Sequence, residues 1–175
     1  MADNLLTQFA NIQLVALDVD GVLTDSKLFI LPNGEAVRGF HIKDGYAIQL
    51  ANRYGLEVVI ISGSGDGAVH SRFEKLGVKE IHLNIKDKKT KLSEILHARG
   101  IHPQNVLYMG DDMPDLLVMD WVGLSACPTD AATEVRLAAN YISPIKGGEG
   151  CVREVIEKIL KLQDKWIPDS QIASR

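Results

Sequence analysis

Leu14-Val-Ala-Leu17-Asp18-Val-Asp20-Gly21-Val-Leu-Thr24-Asp25 is the stretch whose reading decides the fold. Four apolar residues without polar alternation are what a strand buried on both faces requires, and such strands belong to parallel sheets covered by helices. The run stops at a carboxylate and passes through a second one into glycine, the mark of a strand opening into a loop. The pattern recurs: Val58-Val-Ile-Ile61 ends at Ser62, and Val106-Leu-Tyr-Met109 ends at Gly110-Asp111-Asp112. Weaker runs follow at 122–126 and 141–143.

Helical periodicity fills the intervals. Asp44 is expected to cap a helix with apolar positions Ala47, Ile48, Leu50, Ala51 and Tyr54, closed by Gly55. Val69, Phe73 and Leu76 repeat at helical spacing before Gly77, and Leu92, Ile95 and Leu96 do so before Gly100. Val152, Val155, Ile156, Ile159, Leu160 and Leu162 make one broad stripe on a last helix. Strand and helix alternating in this way predict an α/β fold, a Rossmann-like parallel sheet with helices on both faces. Residues 27–41 break the rhythm and read as a β-hairpin turning at Asn33-Gly34. A lone hairpin is marginal in water, and its apolar 28–31 segment is expected to pack on something, another subunit being the candidate. The segment 164–175 is polar, contains Pro168 and reads as a tail.

The 175 residues fit one domain, 1–175, without a linker or an internal repeat. A composition 46 % hydrophobic and 24 % charged is that of a globular chain, and 19 basic against 23 acidic residues leave a net charge of −4. That balance argues against nucleic acid as a partner. The longest apolar runs fall far short of the roughly 20 residues needed to span a bilayer, so no membrane partner is expected. The first residues lack the basic and apolar regions of an export signal. Cys127 and Cys151 have no CxxC spacing and read as reduced thiols of a cytoplasmic protein. The five histidines are scattered, without the spacing of a zinc site.

In an open parallel sheet, ligands bind beyond the carboxyl ends of the strands, where Asp18, Ser62 and Asp111 all converge. Asp18 and Asp20 sit where strict alternation has ended, so both can face that crevice. Close carboxylates repel one another, and an oxygen-loving divalent cation such as Mg²⁺ relieves the repulsion; the plainer alternative is an acidic turn. Ser62-Gly63-Ser64-Gly65-Asp66-Gly67 follows a strand and opens a helix, so its N–H groups and the Ser62 hydroxyl can hold an anion. Gly63, Gly65 and Ala68 also satisfy GxGxxA, but after the second strand of the sheet rather than the first. Lys86, Lys88, Lys89 and Lys91 crowd one helix start, either as a solvated face or with one lysine turned inward. In Gly110-Asp111-Asp112-Met-Pro114-Asp115, Asp112 suits a helix cap, which leaves Asp111 at the crevice.

In this order the four segments resemble the haloacid dehalogenase superfamily of phosphotransferases. The hairpin in place of a cap domain, Phe40-His-Ile-Lys-Asp44-Gly45 and Gly147-Gly148-Glu-Gly150-Cys-Val-Arg153-Glu154 further resemble its small capless phosphatases, those acting on 3-deoxy-D-manno-octulosonate 8-phosphate and related nonulosonate 9-phosphates. The resemblance implies Asp18 as the nucleophile, Asp20 as the general acid and base, and Mg²⁺ held by Asp18, the Asp20 carbonyl and Asp111. It implies Ser62, Gly63 and Lys88 as the phosphoryl-binding groups, with Asp112 and Asp115 supporting the metal site. A sugar-acid phosphate would be the substrate, and a homotetramer formed through the hairpin the assembly. One departure bears on the substrate: the octulosonate enzymes usually carry Arg after the glycine of the second segment, and Ser64 stands there. The rival classes are a dinucleotide-binding oxidoreductase and a catalytically silent assembly domain.

Overall fold

A computed structural model describes residues 2–172. In chain order the elements are α1 (Ala2–Ala10), β1 (Leu14–Leu17), β2 (Phe29–Ile30), β3 (Ala36–Val37), α2 (Ile42–Arg53), β4 (Glu57–Ile61), α3 (Gly67–Lys75), β5 (Glu80–His82) and α4 (Lys88–Arg99). There follow β6 (Val106–Met109), α5 (Leu116–Met119), β7 (Leu124–Cys127), α6 (Thr133–Ala138), β8 (Tyr141–Ile142) and α7 (Cys151–Leu162). Six strands form one parallel sheet in the order β5-β4-β1-β6-β7-β8, and β2 pairs antiparallel with β3 as a separate hairpin.

The apolar runs work as the pleat demands. In β1, Val15 and Leu17 join a core with Phe9, Ile48, Phe73, Val155 and Ile159, from the helices on one face of the sheet. Leu14 and Ala16 face the other way, onto Leu92, Leu96, Val118 and Val135 of α4, α5 and α6. With both faces covered, no polar residue fits within such a strand, and the first available position is its end.

The chain leaves β1, builds β4 and β5 to one side, then returns to β6 on the other. β1 therefore lies at the topological switch point, and the crevice beyond its carboxyl end is flanked by the ends of β4 and β6.

Several local expectations change. The hairpin strands are only two residues each, 29–30 and 36–37, although the turn at Pro32-Asn33-Gly34 stands where expected. The run at 122–126 yields a strand shifted to Leu124–Cys127. The helix N-capped at Asp44 begins instead at Ile42, and Asp44 lies in its first turn, buried. Its Oδ1 accepts from the main-chain N–H of Arg153, 2.6 Å away, so it caps the start of α7 rather than its own helix. The tail is not loose over its described part: Trp166 covers the Arg153 guanidinium at 4.4 Å, and Asp169 pairs with Arg53 at 2.7 Å. Residues 173–175 lie outside the described residues.

Candidate active site

Four loops deliver polar groups to the switch point. β1 ends at Asp18, β4 at Ser62, and β6 at Gly110-Asp111, while Lys88 enters from the first residue of α4. Together with Asp20, Gly63, Ser64, Asp112 and Asp115 they line a crevice of about 490 Å³. A larger groove of about 990 Å³ runs along α2 and α7, but its central cation, Arg153, is already stacked on Tyr46 and Trp166 and paired with Glu157. The smaller crevice holds the chemistry.

Of the four lysines Lys88 is the buried one, while Lys86 lines the same crevice from an exposed position. Lys88 is 4 % exposed, and its Nζ lies 2.7 Å from both Asp18 Oδ2 and Asp115 Oδ1. Lys91 pairs with Glu94 instead, and Lys89 lies over the Trp121 ring. Asp87 orients the start of α4 by accepting from Thr90 N and Thr90 Oγ1 at 2.9 and 2.8 Å.

Asp115 is fully buried and saturated. Its Oδ1 accepts from Lys88 and from the Tyr108 hydroxyl at 2.6 Å; its Oδ2 accepts from the N–H groups of Asp111 and Asp112 at 3.0 and 3.3 Å. Four donors leave it as a buttress that shapes the loop after β6. Gly110 is required beside it, because a Cβ there would strike the Asp115 carboxyl.

Carboxylate oxygens of Asp18, Asp111 and Asp115 lie within 4.8 Å of one another. Burial, together with the charge of Asp115, raises Asp18 to about 6 against the opposing pull of Lys88. Burial and the neighbouring carboxylates raise Asp111 to about 7. Lys88 alone does not offset this much negative charge. A second cation fits: the donors are hard oxygens, as Mg²⁺ prefers, and both Asp18 and Asp111 gain from its charge. Asp112 lines the crevice but is exposed and stands outside the tight cluster. Gly21, at φ +89°, lets the loop pass against the Asp111 carboxyl, which a Cβ would strike.

The Gly-rich loop differs from expectation. The N-terminus of α3 is closed by its own Asp66, whose Oδ1 accepts from Ala68 N and Val69 N at 3.0 Å. Those N–H groups are not open to an anion. Ser62 Oγ, 1 % exposed by residue, accepts from Ser64 N at 3.2 Å and stays at the crevice with Gly63. The same cap removes the dinucleotide reading, which needs a pyrophosphate at that helix start.

Arg38 is the functional candidate that sequence reasoning missed. It leaves β3 of the hairpin and reaches Asp20 and Ser64, with Nη2 3.3 Å from Ser64 Oγ. The place where the resemblance implies a cation thus has one, supplied from a different segment. Burial opposes ionisation of Asp20, but hydrogen bonds from Arg38 and Ser64 outweigh it and hold the carboxyl below the usual range.

Comparison with known proteins agrees with this geometry. A family model described as haloacid dehalogenase-like hydrolase matches residues 73–155. The 3-deoxy-D-manno-octulosonate 8-phosphate phosphatase KdsC of Salmonella typhi is 38 % identical over 165 residues, 94 % of this chain and 88 % of the relative. The chain belongs to the haloacid dehalogenase-like hydrolases. Among solved members, the octulosonate 8-phosphate phosphatase of Yersinia pestis superposes with a TM-score of 0.91 at 37 % identity, covering 93 % of this chain and 88 % of that one. The enzyme of Moraxella catarrhalis, solved with magnesium, phosphate and KDO, also gives 0.91, at 31 % identity and 95 % coverage of both chains.

Proposed function

We propose that this hydrolase, acting as one phosphatase domain over 1–175, cleaves the phosphomonoester of a 2-keto-3-deoxy sugar acid, 3-deoxy-D-manno-octulosonate 8-phosphate, with Mg²⁺ as cofactor. The observation that carries the reading is the Lys88–Asp18 contact of 2.7 Å inside a cluster of carboxylates at the switch point. It supports Asp18 as the carboxylate nucleophile, with fixed positive charge beside it for a phosphoryl group.

Asp18 attacks phosphorus and takes the phosphoryl group as an aspartyl-phosphate. Lys88, Ser62 and the Gly63 N–H stabilise the phosphoryl oxygens, and Asp115 keeps Lys88 aimed. Asp20, ionised under Arg38 and Ser64 in the free protein, takes up a proton from solvent before it gives one to the leaving sugar alkoxide, then takes one from the water that hydrolyses the aspartyl-phosphate. Bound Mg²⁺, held by Asp18, the Asp20 carbonyl and Asp111, supplies positive charge to the crevice. The intact set argues against a silent assembly domain. Ser64, where Arg is usual, makes a nonulosonate 9-phosphate the second substrate to assay.

The hairpin supports a homotetramer: Phe29 and Ile30 are 62 % and 65 % exposed beside Leu28, Leu31 and Val37, an apolar surface that the described residues leave uncovered. A neighbouring subunit would close the open crevice over the sugar. We place the enzyme in the cytoplasm, where buried Cys127 and Cys151 stay thiols; among the described residues no helix is long and apolar enough to cross a membrane. The test is phosphate release from a panel of 2-keto-3-deoxy sugar acid phosphates with and without Mg²⁺. Selective, Mg²⁺-dependent turnover of the octulosonate 8-phosphate is expected; turnover of none contradicts the reading.

A further inference from the structure

The Arg38 side chain runs from the exposed end of β3 to Asp20 and Ser64 at the crevice and is only 7 % exposed, whereas Val37 beside it is 45 % exposed. Its guanidinium is forked over one carboxylate: Nε donates to Asp20 Oδ1 at 2.8 Å and Nη2 to Asp20 Oδ2 at 3.4 Å. Nη2 also reaches Ser64 Oγ at 3.3 Å, and Nη1 reaches Asp66 Oδ2 at 3.5 Å. Ser64 Oγ donates to Asp20 Oδ2 at 2.5 Å, so two segments distant in sequence clamp the same carboxyl. Two residues beyond Arg38, Phe40 packs edge-on against Phe73 of α3 at 5.6 Å, which anchors the stem of the hairpin.

An ordinary exposed ion pair contributes little and selects no geometry. A planar fork with little exposure does select one, because both prongs must be satisfied together. Asp20 needs such help. It stands in the irregular loop after β1, where no strand or helix fixes its rotamer, yet proton transfer demands that its carboxyl lie within hydrogen-bond reach of the leaving oxygen.

We propose that Arg38 is a positioning residue, which orients the Asp20 carboxyl in the crevice and so makes the folded hairpin a condition for proton transfer. This rests on the reading of Asp20 as the acid and base of a phosphatase. The hairpin then serves two ends: its apolar tip meets a neighbour, and its stem aims the proton-transfer group.

Arg38→Ala and Arg38→Lys should be assayed on the sugar phosphate beside wild type, with melting temperatures taken first and a crystal structure of the alanine variant. Positioning predicts a kcat lower by roughly tenfold or more in Arg38→Ala with KM within about twofold. It predicts a comparable loss in Arg38→Lys, which keeps the charge but not the fork, and a displaced Asp20 carboxyl in the crystal. Lysine restoring wild-type kcat overturns the inference, as does a raised KM at unchanged kcat, which would make Arg38 a substrate-binding group. Asp20 in its original place with kcat lowered all the same also overturns it. If the alanine variant does not fold, the lysine variant decides by the same kcat criterion. Wild type inactive on every sugar phosphate brings down the phosphatase reading itself, whereas wild type active and Arg38→Ala equally active brings down only this inference.

Discussion

The crevice and the hairpin tip sit on the same chain but are built on opposite principles. In the crevice, Asp18 follows β1, Lys88 opens α4 and Asp115 stands in the turn before α5; all three are buried, and Lys88 bonds both carboxylates. At the tip, Phe29 and Ile30 make up β2, a strand of two residues, with their side chains largely in water. The crevice is incomplete in charge, since three clustered carboxylates surround one buried lysine. The tip is incomplete in burial. The crevice suits a small divalent cation, and the exposed tip is the surface through which the proposed subunit contact would form.

The largest effect belongs to the crevice. Asp18→Asn should leave the melting temperature near that of wild type and reduce phosphate release to no more than a few per cent, because an amide is a poor nucleophile and a weaker Mg²⁺ ligand. Retained turnover would remove Asp18 from its role. Lys88→Ala strips the cation from a buried cluster, and thermal or chemical unfolding should show a loss of about 3–5 kcal/mol. Added Mg²⁺ should raise the melting temperature of that variant more than that of wild type; an equal response would mean that the cluster does not hold the metal.

The hairpin tip comes next. Ile30→Asp puts a charge where the assembled protein would bury it. Light scattering should report dissociation with circular dichroism unchanged, and turnover of the sugar phosphate should fall more than that of p-nitrophenyl phosphate. A wild type that scatters as a fully active monomer ends this half of the comparison. Asp111→Ala should be milder at saturating metal and chiefly raise the Mg²⁺ concentration for half-maximal rate, as titration would show.

The smallest effect lies outside both regions and serves as their control. Burial raises Asp44 to about 7, against a partial offset from the Arg153 N–H and charge. A carboxyl with a raised folded-state pKa binds more protons folded than unfolded between about pH 4 and 7, so its share of stability falls as pH rises through that window. Asp44→Asn should flatten the slope of melting temperature against pH there, while kcat stays unchanged. An unaltered slope would show that Asp44 ionises without penalty.

What the sequence made legible follows the same division. β1, β4 and β6 were plain because burial on both faces forbids polar residues within them, and the abrupt change at Asp18, Ser62 and Asp111 locates the crevice for the same reason. β5 was not plain: Glu80–His82 is a half-buried edge strand of three residues, carrying a glutamate that pairs with Arg99. α1 went unread as a helix, although Phe9 of that segment is fully buried. Periodicity and charge narrowed the inward lysine to a group of four, and the family resemblance alone pointed to Lys88, since only the fold says which one turns inward. Asp44 and Arg38 were out of reach because their partners, Arg153 and Asp20, lie 109 and 18 residues away, and each contact depends on how separate elements meet. An arginine at the foot of a hairpin, beside a crevice lacking an expected cation, was the available signal.

In the proposed mechanism Asp18 carries the phosphoryl group during turnover. Acid-quenched protein taken during hydrolysis of the sugar phosphate, digested and mapped by mass spectrometry, tests it most directly. A phosphoryl adduct is expected on the peptide containing Asp18, dependent on Mg²⁺ and absent from Asp18→Asn. Phosphate released at full rate with the adduct on another residue would contradict the proposed mechanism.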